Sequence, residues 1–230
     1  RLSKMNVLIV VAHPDDEVLG AGGTSQVLLG KSCKVTSCIM SYKADARNNR
    51  PDEKELYDNM IEAQQILGLE SPILGEFPNI KFNTIPHLEL VKFIENAIIK
   101  TQAQLILTHH PSDINNDHYQ TSIACQAAAR LFQRTNKVPL LKGLYFMEVL
   151  SATDWAFSGQ HSLFKPDTFV EIREALEKKI EAIKAYKGVL REFPHSRSEE
   201  VIRALAVFRA GQSGLSNAEA FQTAFRTGIL

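Results

Sequence analysis

The 230-residue chain lacks the features that mark several large classes of protein. Its three cysteines, Cys33, Cys38 and Cys125, include no C-x-x-C pair, which predicts reduced thiols rather than a disulfide framework or a cysteine-built zinc site. No run reaches the roughly 20 apolar residues of a membrane-spanning helix. The 26 basic and 26 acidic residues leave no excess charge for a nucleic-acid-binding surface. The composition therefore predicts a cytoplasmic globular protein with no nucleic-acid partner and no membrane span.

Short apolar runs alternate with amphipathic segments along the chain, and this alternation predicts the fold class. The predicted strands cover residues 7–12, 35–40, 71–77, 105–108, 144–149 and 168–172. The predicted helices cover residues 20–29, 53–67, 88–99, 118–132, a segment ending near 187, 198–209 and 217–226. Such an order is typical of an α/β fold with right-handed crossovers. We expect a Rossmann-like, mostly parallel sheet flanked by helices on both faces.

Two clusters of acids and histidines follow predicted strands at the points where those strands end. Residues 13–17 read His-Pro-Asp-Asp-Glu, and residues 109–118 read His-His-Pro-Ser-Asp-Ile-Asn-Asn-Asp-His. Ligands of open parallel sheets bind beyond the carboxyl ends of the strands, so both clusters are expected at one edge. We predict a single domain over residues 1–230, with a metal-site half at 5–135 and further strands and helices at 140–230.

The residue types in these clusters suit a divalent metal. His13 and Asp16 are three residues apart, a spacing that directs both side chains to one side of a turn that opens a helix. His118 is the best third ligand, since a catalytic zinc site takes three protein ligands and keeps one position for water. Asp15, between the first two, is placed to accept a proton from that water. The competing interpretation is a turn with a helix cap, because Asp caps helices well.

The same motifs resemble those of the PIG-L/LmbE-like N-acetylglucosaminyl deacetylases. The resemblance lies in residues 12–17 (Ala-His-Pro-Asp-Asp-Glu), Gly20-x-Gly22-Gly23-Thr24 and Asp117-His118. It extends to Leu67-Gly68, Leu74-Gly75 with Phe77-Pro78, Thr108-His109 and Asn217-Ala-Glu-Ala-Phe221, and so covers most of the chain.

The resemblance implies a Rossmann-like domain holding one divalent metal, with zinc as the usual ion and ferrous iron as the alternative. It implies His13, Asp16 and His118 as ligands and Asp15 as general base. The implied reaction hydrolyses the N-acyl amide of an amino-sugar derivative, so the partner is a small N-acetylated sugar conjugate. Relatives form several assemblies, which leaves a homo-oligomer open.

One position departs from the family pattern. Many members carry a second histidine three residues before the metal-binding histidine, and here that position is Asn115. Asparagine can donate a hydrogen bond to an oxyanion but cannot act as a general acid near neutral pH. Either Asp15 returns its proton to the leaving amine, or another residue supplies it. His110, Asp113 and His195 are the candidates, with His110 or Asp113 as the working hypothesis.

Substrate contacts are predicted from polar loops. Arg47, preferred over Arg50, is expected to bind sugar hydroxyls or a phosphate, against the alternative of a solvated loop. His110, Asp113 and Asn115 complete the predicted substrate-binding set.

Several side chains farther along have two interpretations. Trp155 is either a sugar-stacking platform or, as favoured, ordinary packing. Arg197 and Arg209 either line the pocket or, again as favoured, form structural ion pairs. Two other functions stay open, a metal phosphoesterase and a sugar- or nucleotide-binding module with a vestigial metal site.

Overall fold

A computed structural model of the chain describes residues 4–43, 52–157 and 162–228. The elements in chain order are β1 (Asn6–Val11), α1 (Asp16–Gly30), β2 (Lys34–Ile39), α2 (Glu53–Leu67), β3 (Ile73–Leu74), α3 (His87–Thr101), β4 (Leu105–His109), α4 (Asn116–Ala128), β5 (Gly143–Met147), β6 (Thr168–Glu171), α5 (Leu176–Ala185), α6 (Glu199–Ser213) and β7 (Ala218–Arg226). Short 3₁₀ turns cover Phe82–Thr84, Ala129–Gln133, Thr153–Trp155 and Arg173–Ala175.

The strands form one seven-stranded sheet in the order β3-β2-β1-β4-β5-β7-β6. The pairs from β3 to β5 are parallel, whereas β7 pairs antiparallel with both β5 and β6. Strands from both predicted halves of the chain thus share one sheet. The chain order reverses direction between β1 and β4, which is the switch point where open α/β sheets bind ligands.

Apolar clusters cover both faces of the sheet, and β1 shows why. Val7, Ile9 and Val11 pack into the cluster that includes residues of α1, α2, α5 and α6. Leu8 and Val10 pack into the opposite cluster, which includes residues of α3 and α4. A strand buried on both faces needs a continuous apolar run rather than an alternating one. The predicted mostly parallel sheet with helices on both faces is therefore confirmed.

The prediction for residues 217–226 is wrong. The sequence predicts a helix there, whereas Ala218–Arg226 forms the nine-residue strand β7. Alanine and glutamate favour a helix locally, but this segment lies between two strands and pairs with both. Tertiary pairing overrides weak local propensity in such a position.

Several boundaries also differ from the prediction, for example those of the third strand and of the fourth helix. The third strand is only Ile73–Leu74, continued by an isolated bridge between Ser41 and Glu76. The helix predicted at 118–132 begins at Asn116 and ends at Ala128, where a 3₁₀ turn takes over.

Helix α1 has a break at Ala21, and a side chain of strand β7 binds the backbone next to it. Ala21 has a non-helical φ of −146°, which interrupts the helical hydrogen bonding. The Glu219 carboxylate of β7 accepts hydrogen bonds from the backbone N–H groups of Gly23 (2.9 Å) and Thr24 (2.6 Å). The Lys179 ammonium, 2.6 Å from Glu219, donates to the Leu19 carbonyl at 2.8 Å. The backbone N–H groups and the carbonyl next to the break are thus hydrogen-bonded by the two members of one buried ion pair.

Close packing of α1 depends on a glycine at this break. A Cβ added at Gly23 would lie 2.8 Å from Cγ2 of Ile172, closer than side chains normally approach.

Across the described ranges, no helix combines the length and apolarity needed to cross a bilayer.

Candidate metal centre

The two acid-histidine clusters meet at the carboxyl ends of β1 and β4. These strands are neighbours in parallel register, with Val10 opposite Thr108. His13 follows β1 and Asp16 opens α1, while His118 lies in the first turn of α4. The topology therefore brings together residues that are about a hundred positions apart in the chain, as the sequence predicts.

The three predicted ligands form one compact, buried group. Donor atoms of His13, Asp16 and His118 all lie within 4.8 Å of one another. Asp16 Oδ2 is 3.2 Å from His118 Nε2 and 3.6 Å from His13 Nδ1. The exposed fractions are 7%, 1% and 1% for His13, Asp16 and His118, which excludes a solvated surface cluster. Two imidazoles and one carboxylate around a common point are a donor set that fits a divalent cation.

Each histidine of the group is oriented by a second carboxylate. His118 Nδ1 is 3.0 Å from Asp113 Oδ2, and His13 Nε2 is 3.0 Å from Asp117 Oδ2. Thr153 donates a 3.0 Å hydrogen bond to the same Asp113 oxygen. Carboxylates that bind the outer nitrogen of a ligand histidine fix its ring and raise its basicity. The arrangement therefore suits a metal ion held by His13, Asp16 and His118, with Asp113 and Asp117 orienting the two histidines.

The pKa values of His118 and Asp16 each depend on the charge of the other residue. Burial lowers the pKa of His118, but the carboxylates of Asp16 and Asp113 outweigh this and raise it to about 10. Burial raises the pKa of Asp16, and the neighbouring His118 outweighs it and holds the pKa well below its usual range. A ligand imidazole must be neutral, so a metal at this point competes with a proton for His118.

Asp113, which the sequence predicts as a substrate contact or proton donor, is bonded to two neighbouring side chains. It is buried, Oδ2 serves His118 and Thr153, and Oδ1 accepts a 2.9 Å hydrogen bond from the backbone N–H of Asn115. Its pKa is lowered, because the nearby His118 outweighs the effect of burial. A committed, ionised carboxylate of this kind suits orientation of His118 better than a substrate contact or a proton donation.

His109 and His110 have separate environments. His109 stacks on His118 with ring centroids 3.9 Å apart, and its Nε2 accepts a 2.9 Å hydrogen bond from the backbone N–H of Ala12. Burial lowers the pKa of His109 to about 3, so this imidazole is neutral. His110 accepts a hydrogen bond from the Ser112 backbone and meets the ring of Phe146 edge-on. Neither histidine belongs to the predicted ligand group, although His109 borders it.

Asp15 occupies an unusual position beside the ligand group. It is buried, and its φ of 96° is rare for a residue other than glycine. Its side chain makes no capping hydrogen bond to α1, which argues against the helix-cap interpretation. Its Oδ2 lies 3.6 Å from Nη1 of Arg197. The carboxylate thus faces a cation from the C-terminal part of the chain.

Glu17 anchors the backbone of this loop. Its Oε2 accepts a 3.1 Å hydrogen bond from the N–H of Asp15. Its Oε1 accepts hydrogen bonds from Tyr186 (2.6 Å) and Gln64 (2.9 Å). Burial raises the pKa of Glu17 to about 8. Glu17 therefore holds the backbone beside Asp15 and Asp16, and its partners Tyr186 and Gln64 belong to none of the motifs in the sequence.

A cavity of about 130 Å³ opens beside Asp15. Its lining includes Asn115, Ser151, His195 and Arg197. Asn115 caps α4 by accepting a 2.9 Å hydrogen bond from the Asp117 N–H on its Oδ1, which leaves its amide nitrogen as a donor. The departure from the family pattern thus lies in the wall of the cavity beside Asp15.

The remaining candidates divide between the site and the scaffold. Trp155 is 56% exposed, contrary to the favoured packing interpretation, and lines an outer cavity of about 750 Å³ with His195. Arg209 forms the expected structural ion pair, 2.6 Å from Glu148. The predicted substrate contact Arg47 and the alternative Arg50 lie outside the described residues.

Comparison with known families agrees with this geometry. The model of the PIG-L family, described as GlcNAc-PI de-N-acetylase, matches residues 8–129, which span both clusters and more than half of the chain. The chain belongs to the PIG-L family. No curated protein matches it significantly.

Solved structures share the fold of this PIG-L protein. An N,N'-diacetylchitobiose deacetylase from Pyrococcus horikoshii is 18% identical, with 95% of this chain and 83% of that chain covered and a TM-score of 0.76. A zinc-inhibited form of a teicoplanin deacetylase is 16% identical, with 98% and 100% covered and a TM-score of 0.73. A 4-carboxy-2-hydroxymuconate hydratase from Pseudomonas putida is 18% identical, with 98% of each chain covered and a TM-score of 0.77. The fold alone thus serves more than one reaction.

Proposed function

We propose that this PIG-L protein is a zinc-dependent hydrolase that removes an N-acetyl group from an amino-sugar derivative. The observation that carries the proposal is the buried convergence of His13, Asp16 and His118, with the Asp15 carboxylate in the adjacent cavity. Family membership and the deacetylases among the similar structures favour amide hydrolysis over other chemistry of the same donor set.

The ligand group would hold the metal. A bound divalent ion polarises an amide carbonyl and lowers the pKa of water from 15.7 towards roughly 7. Two histidines and one aspartate suit zinc, and ferrous iron is the alternative because availability as well as affinity decides occupancy. Asp113 and Asp117 would keep the two imidazoles in the productive orientation.

Asp15 would act as general base. It lies next to the ligand Asp16 but faces the cavity, so it can accept a proton from a water that attacks the amide carbon. Arg197, 3.6 Å away, favours the ionised form that a base requires. The free amide N–H groups of Asn115 would stabilise the developing oxyanion.

His195 is the best-placed proton donor for the leaving amine. It lines the same cavity as Asp15 and Asn115. Its Nδ1 accepts a 3.0 Å hydrogen bond from the Arg197 N–H, which leaves Nε2 to carry the transferable proton. Asp113 is committed to His118, and His110 lies outside the lining of this cavity, so neither supports the working hypothesis of the sequence analysis.

The rest of the assignment stays a proposal on sequence grounds. Arg47 is proposed to contact the sugar, and the partner is a small N-acetylated sugar conjugate. His110 and Asp113 stay predicted substrate contacts, although neither lines the cavity beside Asp15. A cytoplasmic location and a homo-oligomeric state are likewise proposed. A second possible donor group in the described residues, His109, Asp113 and His118, shares His118 with the first, which supports one metal rather than the bridged pair of a two-metal phosphoesterase.

Acetate release from N-acetylglucosamine derivatives tests the function. We expect Asp15→Asn to lower kcat by about 10² to 10⁴, the usual contribution of a general base, while metal content stays unchanged. Asp58→Asn, on the exposed face of α2, is the matched control and should retain the wild-type rate. Wild-type turnover by Asp15→Asn would refute the base assignment. Release of phosphate from sugar phosphates without acetate release would favour the phosphoesterase instead.

A further inference from the structure

Four of the thirteen residues that line the cavity beside Asp15 have basic side chains. Lys187, Arg191 and Arg197 carry fixed positive charges, and His195 adds an imidazole. Asp15 is the one carboxylate among the lining residues that the structure describes. An overall charge of zero for the chain makes such a local excess a feature of the site rather than of the composition.

The three cations differ in how they are neutralised. Lys187 lies 2.7 Å from Glu55 at the exposed rim, and Arg197 lies 3.6 Å from Asp15. For Arg191, no carboxylate within the described part of the chain comes within ion-pair distance. Its backbone N–H donates to the Arg197 carbonyl at 3.2 Å, which ties this segment of the loop to the catalytic side of the cavity. The backbone of Arg191 is thus fixed, while its exposed guanidinium has no carboxylate partner among the described residues.

The position of Arg197 separates two tasks within this cluster. Its Nε donates a 3.0 Å hydrogen bond to the Leu150 carbonyl, and its Nη1 faces Asp15. Arg197 is thereby occupied in supporting the base. Lys187 is paired with Glu55 at the rim, whereas Arg191 has no carboxylate partner among the described residues, so the positive potential of Arg191 is directed at whatever enters the cavity.

We propose that the substrate of this site carries an anionic oxygen group, a phosphate or a carboxylate, which Arg191 and Lys187 bind beside the amide that is cleaved. This inference rests on the proposed deacetylase function and names its substrate class. A guanidinium binds either anion with two parallel hydrogen bonds, whereas Lys187 acts as a point charge. The outer cavity shares Ser151 and His195 with this one and has the exposed Trp155 ring on its wall, so a sugar can extend from one space into the other.

Kinetics on a matched substrate series test the proposal. The series consists of methyl N-acetylglucosaminide as the neutral member, N-acetylglucosamine 1-phosphate and 6-phosphate, and N-acetylmuramic acid as the carboxylate. We expect kcat/KM for at least one anionic member to exceed that of the neutral sugar by about tenfold or more, because a guanidinium and an ammonium would act on the same anion through charge-assisted hydrogen bonds. The phosphate and carboxylate arms identify which anion the site prefers.

Arg191→Ala should reduce that preference to about twofold, mainly through KM, and Arg191→Lys should restore part of it. Arg130→Ala is the matched control, since Arg130 is exposed and lies outside the cavity lining. Added salt should weaken the preference in the wild type but not in Arg191→Ala.

Calorimetric binding of the same sugars separates this inference from the reaction. Anionic sugars that bind through Arg191 without being hydrolysed would support the charged subsite and refute the deacetylase. Equal kcat/KM for neutral and anionic sugars, unaltered by Arg191→Ala, would overturn the subsite and leave the deacetylase standing.

Discussion

Lys179 and Glu219 form an ion pair of 2.6 Å in the interior of the protein, beneath the break in α1. Their side chains are only 8% and 5% exposed, and they come from α5 and β7, both in the C-terminal part of the chain. Together they hold backbone groups of α1 within two turns of Asp16. The start of α1, which carries Asp16, is thus held in place by residues far from it in sequence.

Glu219→Gln should destabilise the fold strongly. The change leaves the Lys179 ammonium buried without its counter-charge, and removal of one partner of a buried pair costs about 3–5 kcal/mol. Urea unfolding followed by circular dichroism measures the loss. The double variant Lys179→Met/Glu219→Gln should recover part of it, whereas Lys54→Met at an exposed pair should leave the midpoint unchanged. An unchanged midpoint in Glu219→Gln would show that the pair does not brace the helix.

Metal content should depend on His118. We expect about one zinc or iron ion per chain in protein purified without chelators, in keeping with one three-ligand site, and its loss in His118→Ala. His87→Ala, at the exposed start of α3, is the matched control and should keep the metal. Elemental analysis by mass spectrometry gives the readout. Wild-type metal content in His118→Ala would place the ion elsewhere.

Asp113→Asn should weaken metal binding without abolishing it. The substitution removes the charge that orients His118, and loss of such an outer carboxylate typically costs about 10- to 100-fold in metal affinity. Competition with a chromophoric chelator measures the affinity. If affinity were unchanged while proton transfer to the amine failed, Asp113 would be the missing acid after all.

His195→Gln should change the pH profile as well as the rate. We expect kcat to fall by about 10² or more, because general acid catalysis contributes at least that much. An acid that must be protonated loses activity as pH rises, so the alkaline limb of kcat/KM should flatten in the variant. His87→Gln should keep both the rate and the profile. A lowered rate with an unchanged profile would reduce His195 to a positioning role.

Local sequence was sufficient for the core of the site. An apolar run ending in His-Pro-Asp-Asp predicts a buried strand with polar side chains at its carboxyl end. Strand β1 is buried from Val7 to Val11 and pairs in parallel with β4. The same logic applies to β4 and His118. Because adjacent parallel strands end at one edge, the convergence of His13, Asp16 and His118 follows from the pattern alone.

Long-range partners were beyond local sequence. Tyr186 donates a hydrogen bond to Glu17, which is 169 positions away in the chain. Arg197 lies beside Asp15 and follows α5, the helix that packs against α1 and α2. The helix predicted at 217–226 failed for the same reason, since β7 is defined by the strands on either side of it. Asp113 lies next to His118, as the sequence indicates, but its hydrogen bond from Thr153 has no signal in the sequence, and its role as substrate contact or proton donor stays a prediction.

The backbone of Asp15 limits which residues can replace it. Its φ of 96° admits glycine readily and tolerates asparagine better than most side chains, while alanine or a β-branched residue would add strain. An alanine substitution at Asp15 would therefore combine the loss of the carboxylate with backbone strain. Asparagine removes the charge with less strain, so it separates the effect on catalysis from the effect on stability. By the same reasoning, a random library should return functional clones at residue 15 far more rarely than its chemistry alone would require.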